Sequence, residues 1–189
     1  ELLIAVVLSA QTTDVSVNKV TPNLFSKYPD IVSLANADLV DVKSLINSIG
    51  LYNTKAKNII LLCEKIISDY NGEVPDDINQ LMSLPSVGRK TANVVLSEYF
   101  NIPAIAVDTH VERVSKRLGL ANKKDDVLMV EKKLQKKIAK EQWHFTHHLL
   151  IYFGRYFCKS KNPLCDQCPF VDFCKESKKI KYRNVKKAS

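Results

Sequence analysis

The sequence predicts an all-α protein of two helical domains, and three observations carry that prediction. Apolar residues recur at three- and four-residue spacing through most of the chain. Pro, Gly, Asn and Asp punctuate these periodic stretches. No stretch shows the sustained alternation of a half-buried strand.

Taken in order, Leu2, Leu3, Val6, Val7 and Ala10 make the first helix apolar nearly all round, as a core helix is. Asp14 opens the second, with Val17, Val20 and Leu24 as its stripe. Pro29-Asp30 opens a short third helix. Asp38 caps a fourth through Leu45, Ile46 and Ile49, closed by Gly50. Asn53 or Thr54 starts a long helix carrying Ile59, Ile60, Leu62, Cys63, Ile66 and Ile67, ended by Asn71-Gly72. Cys63 stands apart from the other cysteines and reads as a small buried hydrophobe. Ile78, Leu81 and Met82 form a short helix leading into the turn Pro85-Ser86-Val87-Gly88. Beyond it, Ala92, Val95, Leu96 and Tyr99 recur at i, i+3, i+4 and i+7, and Pro103 stops that helix. Ala104 to Val107 is apolar and expected to be buried. Asp108 precedes the next helix, with Thr109 and Glu112 in capping-box spacing. Asp125–Lys140 reads as a charged helix with one face in water, and Glu141–Phe157 as an aromatic-rich one. The first domain is placed at residues 1–102, ending in the hairpin at about 84–90, and the second at residues 103–189.

The chain has 189 residues, 46% of them hydrophobic, enough for one large core or two small ones. Lys and Arg number 28 against 20 Asp and Glu, a net charge of +8, which favours an anionic partner, most simply nucleic acid. No apolar run is long enough to cross a bilayer, so no membrane partner is expected. The first residue, Glu1, already lies within a helical pattern, so the chain reads as lacking its natural N-terminus, and a leader peptide stays open. The basic tail from Lys175 is expected to fray and to add nonspecific attraction to phosphates.

The turn at residues 85–88 makes a helix–hairpin–helix. The N–H groups at the start of its second helix, at the positive end of the helix dipole, form a seat for a phosphate. Lys90 falls in the first turn of that helix, where the dipole disfavours an ammonium, and a free amine is a usable nucleophile. A carboxylate at Asp108, at the edge of a buried segment, is a candidate companion. By pattern alone, a lysine in a first helical turn is also an ordinary solvated side chain, and an aspartate before a helix an ordinary N-cap.

Near the C-terminus Cys158, Cys165, Cys168 and Cys174 give C-x6-C-x2-C-x5-C. Four thiolates this close in sequence suit one compact metal centre, and both a tetrahedral zinc and a [4Fe–4S] cube take four cysteines. Lys159, Lys161 and Asn162 lie between the first two, so a metal-pinned loop would present lysines to a nucleic-acid backbone.

These features together resemble one family. LPSVGRKTANVV, VDTH and the cysteine spacing, with SAQTTD near the start, are similar to the endonuclease III family of DNA glycosylases, within the helix-hairpin-helix glycosylase superfamily. The resemblance runs from Glu1 to about Cys174. It implies a [4Fe–4S] cluster on the four cysteines, Lys90 as catalytic lysine and Asp108 as catalytic aspartate. It further implies that Gln11 helps fill the gap left by an extruded base and that Leu51, in GLYNTKA, wedges into the duplex beside it. The remaining DNA contacts are expected from Val87, Gly88, Arg89 and Thr91 of the hairpin and from Lys159 and Lys161. The implied activity is excision of oxidised pyrimidines from double-stranded DNA, followed by cleavage 3′ to the abasic site through a lysine Schiff base. The enzyme is expected to be a monomer of the cytoplasm or nucleoid if bacterial, with a nucleus or organelle left open. Two departures stand out. The family's hairpin reads LPGVG, whereas Ser86 replaces its first glycine here, and a serine is strained if that position needs φ > 0. The family also carries an N-terminal helix before ELLIAVVLSAQ that this sequence lacks.

Overall fold

A computed structural model describes residues Glu1 to Glu176. Among the described residues there is no strand, and the chain divides into two compact units, Glu1–Ile102 and Pro103 onward.

The first unit holds α1 (Leu2–Leu8), α2 (Asp14–Lys27), α3 (Ile31–Ala35), α4 (Leu39–Ile46), α5 (Tyr52–Tyr70), α6 (Ile78–Ser83) and α7 (Arg89–Glu98). Short polar side chains start most of them. Thr13, Asp30, Asp38 and Asp77 each accept backbone N–H groups of the first turn that have no partner within the helix. The α5 helix is the hub of the unit. It buries Ala56, Ile59, Leu62, Cys63 and Ile66, and packs against α1, α3 and α4. Burial pushes the Cys63 thiol up to about 12, so it stays a neutral apolar group. The α7 helix buries Ala92, Val95 and Leu96 as its periodicity requires, but it ends at Glu98 and leaves Tyr99 62% exposed. Asn101 turns the chain there at φ 54°, a conformation asparagine tolerates.

The second unit begins with Ala104, Ile105, Ala106 and Val107, all buried. It continues through α8 (Thr109–Leu118), α9 (Val127–Lys137) and α10 (Trp143–Tyr152), around a core of Ile105, Val107, Val111, Val114, Ala121, Val130, Leu134 and Leu150. Asp108 caps α8 as an aspartate directly before a helix does, without a Thr109–Glu112 box, and two boundaries differ from the sequence expectation. The α9 helix is shorter than its charge pattern. The stretch expected as one helix to Phe157 is broken into a 3-10 turn (Lys140–Gln142), α10 and a π-helical turn (Phe153–Phe157).

The π turn has a physical cause. The Cys158 N–H donates to the Phe153 carbonyl at 2.7 Å, which frees the Gly154 carbonyl to accept from Arg113 Nη2 at 2.8 Å. Gly154 also allows the close approach of α8, since a Cβ there would lie 2.9 Å from the His110 Cβ. The start of the tail, expected to fray, is held at its described end: Lys175 N–H donates to the Arg117 carbonyl, and Glu176 pairs with Arg117. The rest of the tail lies outside the described residues.

Candidate functional site

The hairpin between α6 and α7 is built around a buried plug. Val87 is 5% exposed, and its N–H closes the turn onto the Leu84 carbonyl. Gly88 is the N-cap of α7 in an extended conformation any residue adopts, and a Cβ there would meet nothing within 4 Å. The fold therefore gives no internal reason for glycine at this position. A bare N-cap does leave the N-terminal N–H groups of α7 open to an approaching anion. Lys90 is the second residue of α7 and is exposed, with no hydrogen bond or ion pair among the described residues. Arg89 and Thr91 beside it are half-buried.

Ser86 does sit in the left-handed region, at φ 61°. For an L-residue this costs about 1–2 kcal/mol. The side chain that creates the strain also offsets it: Asn58, on α5, donates from Nδ2 to Ser86 Oγ at 2.6 Å. Asn58→Ala is therefore expected to cost about 1 kcal/mol in the natural chain and close to nothing in a Ser86→Gly background. Chemical denaturation of the four proteins of that cycle checks it; equal costs in both backgrounds would show that the contact does not matter.

Besides Asn71 and Asn101, Gln11 and Leu51 of this unit share the same unusual backbone. Gln11 lies at φ 54° and Leu51 at φ 60°. Both are exposed, Leu51 to 60%, so Leu51 is not a core leucine. The fold brings them together: a Cβ on Gly50, next to Leu51, would come 4.0 Å from the Gln11 carbonyl oxygen. A bulky residue held in the left-handed region with its side chain in solvent gains nothing for stability, and strain of this kind collects at binding sites.

In the second unit Asp108 is the half-buried N-cap of α8. Its Oδ1 accepts from His110 N and Val111 N, both at 2.8 Å, and Oδ2 takes neither bond. The carboxylate is thus fixed in orientation while one oxygen keeps its lone pairs.

The four cysteines converge. Cys158, Cys165, Cys168 and Cys174 line one recess, whose walls include Phe153, Phe157, Leu164 and Val171. Burial, and then the charges of Cys158, Cys168 and Cys174, push the Cys165 thiol up. Burial likewise raises that of Cys168, along with Cys158 and Cys174, against a backbone hydrogen bond from Phe170 that lowers it. Four sulfurs close enough to repel one another need a cationic centre to become thiolates together. Four cysteines around one recess with an apolar wall fit an iron–sulfur cube.

Two arginines one turn apart on α8 hold the loop that carries the first ligand. Arg113 donates from Nε to the Cys158 carbonyl at 3.1 Å. Arg117 donates from Nη1 to the Lys159 carbonyl at 2.7 Å and to Cys158 Sγ at 3.4 Å. Lys159 and Lys161 are exposed at the tip of this loop, which Asn162 turns at φ 49°.

Sequence reasoning missed Asn58, Arg113, Arg117 and one more residue, Lys55. Its signal was present: Lys55 falls on the apolar stripe Ile59, Leu62 and Ile66 of α5, and it is 6% exposed. The arginines left no comparable signal, since their partners lie 41 to 45 residues away.

The chain is similar to known proteins along most of its length. The family model for an HhH-GPD superfamily base excision DNA repair protein matches residues 4–140, and the iron–sulfur binding domain of endonuclease III matches residues 158–174. Endonuclease III of Bacillus subtilis (strain 168) is 56% identical over 179 residues, which is 95% of this chain and 82% of that protein. Endonuclease III of Escherichia coli (strain K12) is 48% identical over 180 residues, 95% of this chain and 85% of that one. Among solved structures, a trapped endonuclease III–DNA covalent intermediate superposes with a TM-score of 0.91 at 58% identity, covering 96% of this chain and 85% of that one. A thermostable thymine-DNA glycosylase superposes with a TM-score of 0.81 at 25% identity, covering 97% and 83%.

Proposed function

Because the chain belongs to the endonuclease III family of the HhH-GPD superfamily of base-excision DNA repair proteins, we propose that its chemistry is carried by Lys90 as nucleophile and Asp108 as the carboxylate that stabilises the developing sugar cation. The protein is a bifunctional DNA glycosylase and AP lyase with a [4Fe–4S] cluster. The observation that carries the residue assignment is the position of Lys90: an exposed amine, with no partner among the described residues, in the first turn after the hairpin.

The substrate is double-stranded DNA bearing an oxidised pyrimidine or an abasic site. A base inside a duplex is out of reach and must be turned out, at least cost where stacking is already weak. The N–H groups of Gly88, Arg89 and Thr91 seat a backbone phosphate beside the buried Val87, whose own N–H is taken by the Leu84 carbonyl, and the Arg89, Lys159 and Lys161 side chains add positive charge along the strand. Leu51 wedges into the stack, and Gln11 fills the vacated place opposite the orphaned partner base.

The Lys90 amine attacks C1′ of the deoxyribose. The C1′–N bond to the base breaks and the base leaves with a proton from the amine; the C1′–O4′ bond then breaks, O4′ taking a proton, and C1′ becomes an iminium joined to Nζ. The charge of the Asp108 carboxylate, whose Oδ2 is free of the cap, stabilises the positive charge that gathers on the sugar as the base departs. The iminium acidifies the 2′ hydrogens. Loss of a 2′ proton then breaks the C3′–O bond, expelling the 3′-side phosphate, and water releases the lysine. The cluster, held by Cys158, Cys165, Cys168 and Cys174, supplies a structural pin for the loop bearing Lys159 and Lys161. The enzyme acts as a monomer, and its substrate keeps it with the DNA, in the cytoplasm or nucleoid if the cell is bacterial.

A panel of three duplexes tests the substrate assignment. Thymine glycol and a plain abasic site should be cleaved, and 8-oxoguanine opposite adenine should not. Preferential adenine removal from the last would contradict the assignment.

The wedge reading makes its own prediction. Leu51→Gly should leave thermal stability unchanged or raise it by up to about 1 kcal/mol, since glycine occupies φ 60° without strain and little burial is lost. The same change should lower excision from duplex DNA by roughly tenfold or more, because a buried leucine wedge in the bound state is worth on the order of 1.5–3 kcal/mol. A thermal melt and a single-turnover assay together check it. Full activity in that variant would remove Leu51 from the mechanism.

A further inference from the structure

Lys55 is a buried charge with a poor energetic rationale. It is 6% exposed, on the same face of α5 as Ile59, Leu62 and Ile66. Its one hydrogen-bond partner among the described residues is neutral: Nζ donates to Thr12 Oγ1 at 2.6 Å. Burial lowers the lysine's affinity for its proton. Such a site ordinarily favours an apolar side chain, which would extend the stripe without desolvating an ammonium.

What the lysine touches gives it a reason. Thr12 directly follows Gln11, and its hydroxyl, while accepting from Lys55, donates to the Ala10 carbonyl on the other side of Gln11 at 3.4 Å. The Lys55 N–H meanwhile donates to the Leu51 carbonyl at 3.0 Å. Gln11 and Leu51 are both held in the left-handed region and both exposed. A single residue is thus bonded through its backbone to Leu51 and through its side chain to Thr12, the residue after Gln11.

We propose that Lys55 is a positioning residue, whose buried ammonium, acting through Thr12, locks the Gln11 turn beside Leu51 so that the two side chains enter the duplex as one preformed unit. The proposal rests on the assignment of Gln11 and Leu51 as duplex-entering residues. Lys55 does not touch the reacting sugar. Its effect is on base extrusion, a step that a single-stranded abasic substrate does not need.

The test compares excision of thymine glycol from duplex with cleavage of a single-stranded abasic oligonucleotide, for Lys55→Met, Thr12→Val, the double variant, Thr12→Ser and Leu51→Ala. Lys55→Met and Thr12→Val should each lose about tenfold more on the duplex than on the single strand. The double variant should lose no more than either alone, and Thr12→Ser, which keeps the hydroxyl, should behave as the natural chain does. The melting temperature of Lys55→Met should hold or rise. Equal losses on both substrates, additive losses in the double variant, or an undiminished duplex rate would each overturn the proposal. If Leu51→Ala itself shows no duplex-selective loss, the wedge assignment fails, and the reason for the tie fails with it.

Discussion

Lys90→Ala is expected to lower strand cleavage at an abasic site by at least about 10³-fold. No other group on α7 supplies an amine at the first turn, and water is a poor substitute for a nucleophile whose product, the iminium, is what makes the 2′ proton acidic. The substitution should leave the protein intact. Lys90 is exposed and makes no hydrogen bond or ion pair among the described residues, and alanine is the better helix former. Its duplex binding should be close to that of the natural chain, because the phosphate seat is made of backbone N–H groups that the change does not touch. Gel-shift affinity on an abasic duplex, set beside the cleavage rate, separates the two effects. Loss of binding and cleavage in parallel would assign Lys90 to the phosphate rather than to the sugar.

Asp108→Asn is the second large effect, expected to slow release of thymine glycol by about 10²- to 10³-fold. The choice of asparagine matters. Asp108 has two roles in the structure, as N-cap of α8 and as a fixed carboxylate, and alanine would remove both at a cost of about 0.5–2 kcal/mol to the helix. Asparagine caps as well as aspartate does, so its Oδ1 can keep the bonds from His110 N and Val111 N. Only the charge is lost. A thermal midpoint near that of the natural chain, together with slow single-turnover base release, is the expected pair of results. A normal excision rate would leave Asp108 with its capping role alone.

The parts of the molecule that were legible in the sequence are those whose signal is local. Helix periods, the turn at residues 85–88, the cysteine spacing and the lysine behind the hairpin all sit within a few residues of what defines them. Ser86 shows the limit. Its replacement of a glycine pointed to a φ > 0 position, and the structure places it at 61°. The partner that offsets the strain is Asn58, 28 residues earlier, and no local pattern connects them. The left-handed backbone at Leu51 was likewise invisible, since a leucine there runs against its own preference and is tolerated only because α5 and the turn before it fix the chain. The long helix expected up to Phe157 failed for the same reason. Arg113, on another helix, claims the Gly154 carbonyl, and that bond is a tertiary event. Asp108 shows the reverse case, in which both local readings, the carboxylate at the edge of a buried segment and the ordinary N-cap, fall on one residue that does cap α8.

The central claim is that Lys90 forms the covalent link to the sugar. Borohydride reduction during turnover on a thymine-glycol duplex, followed by proteolysis and mass mapping of the modified peptide, tests it most directly. One adduct is expected, on the peptide of α7 with the added mass at Lys90, and none in Lys90→Ala. An adduct at Lys55, at the N-terminal amine or at any other lysine, or undiminished trapping in the alanine variant, would contradict it.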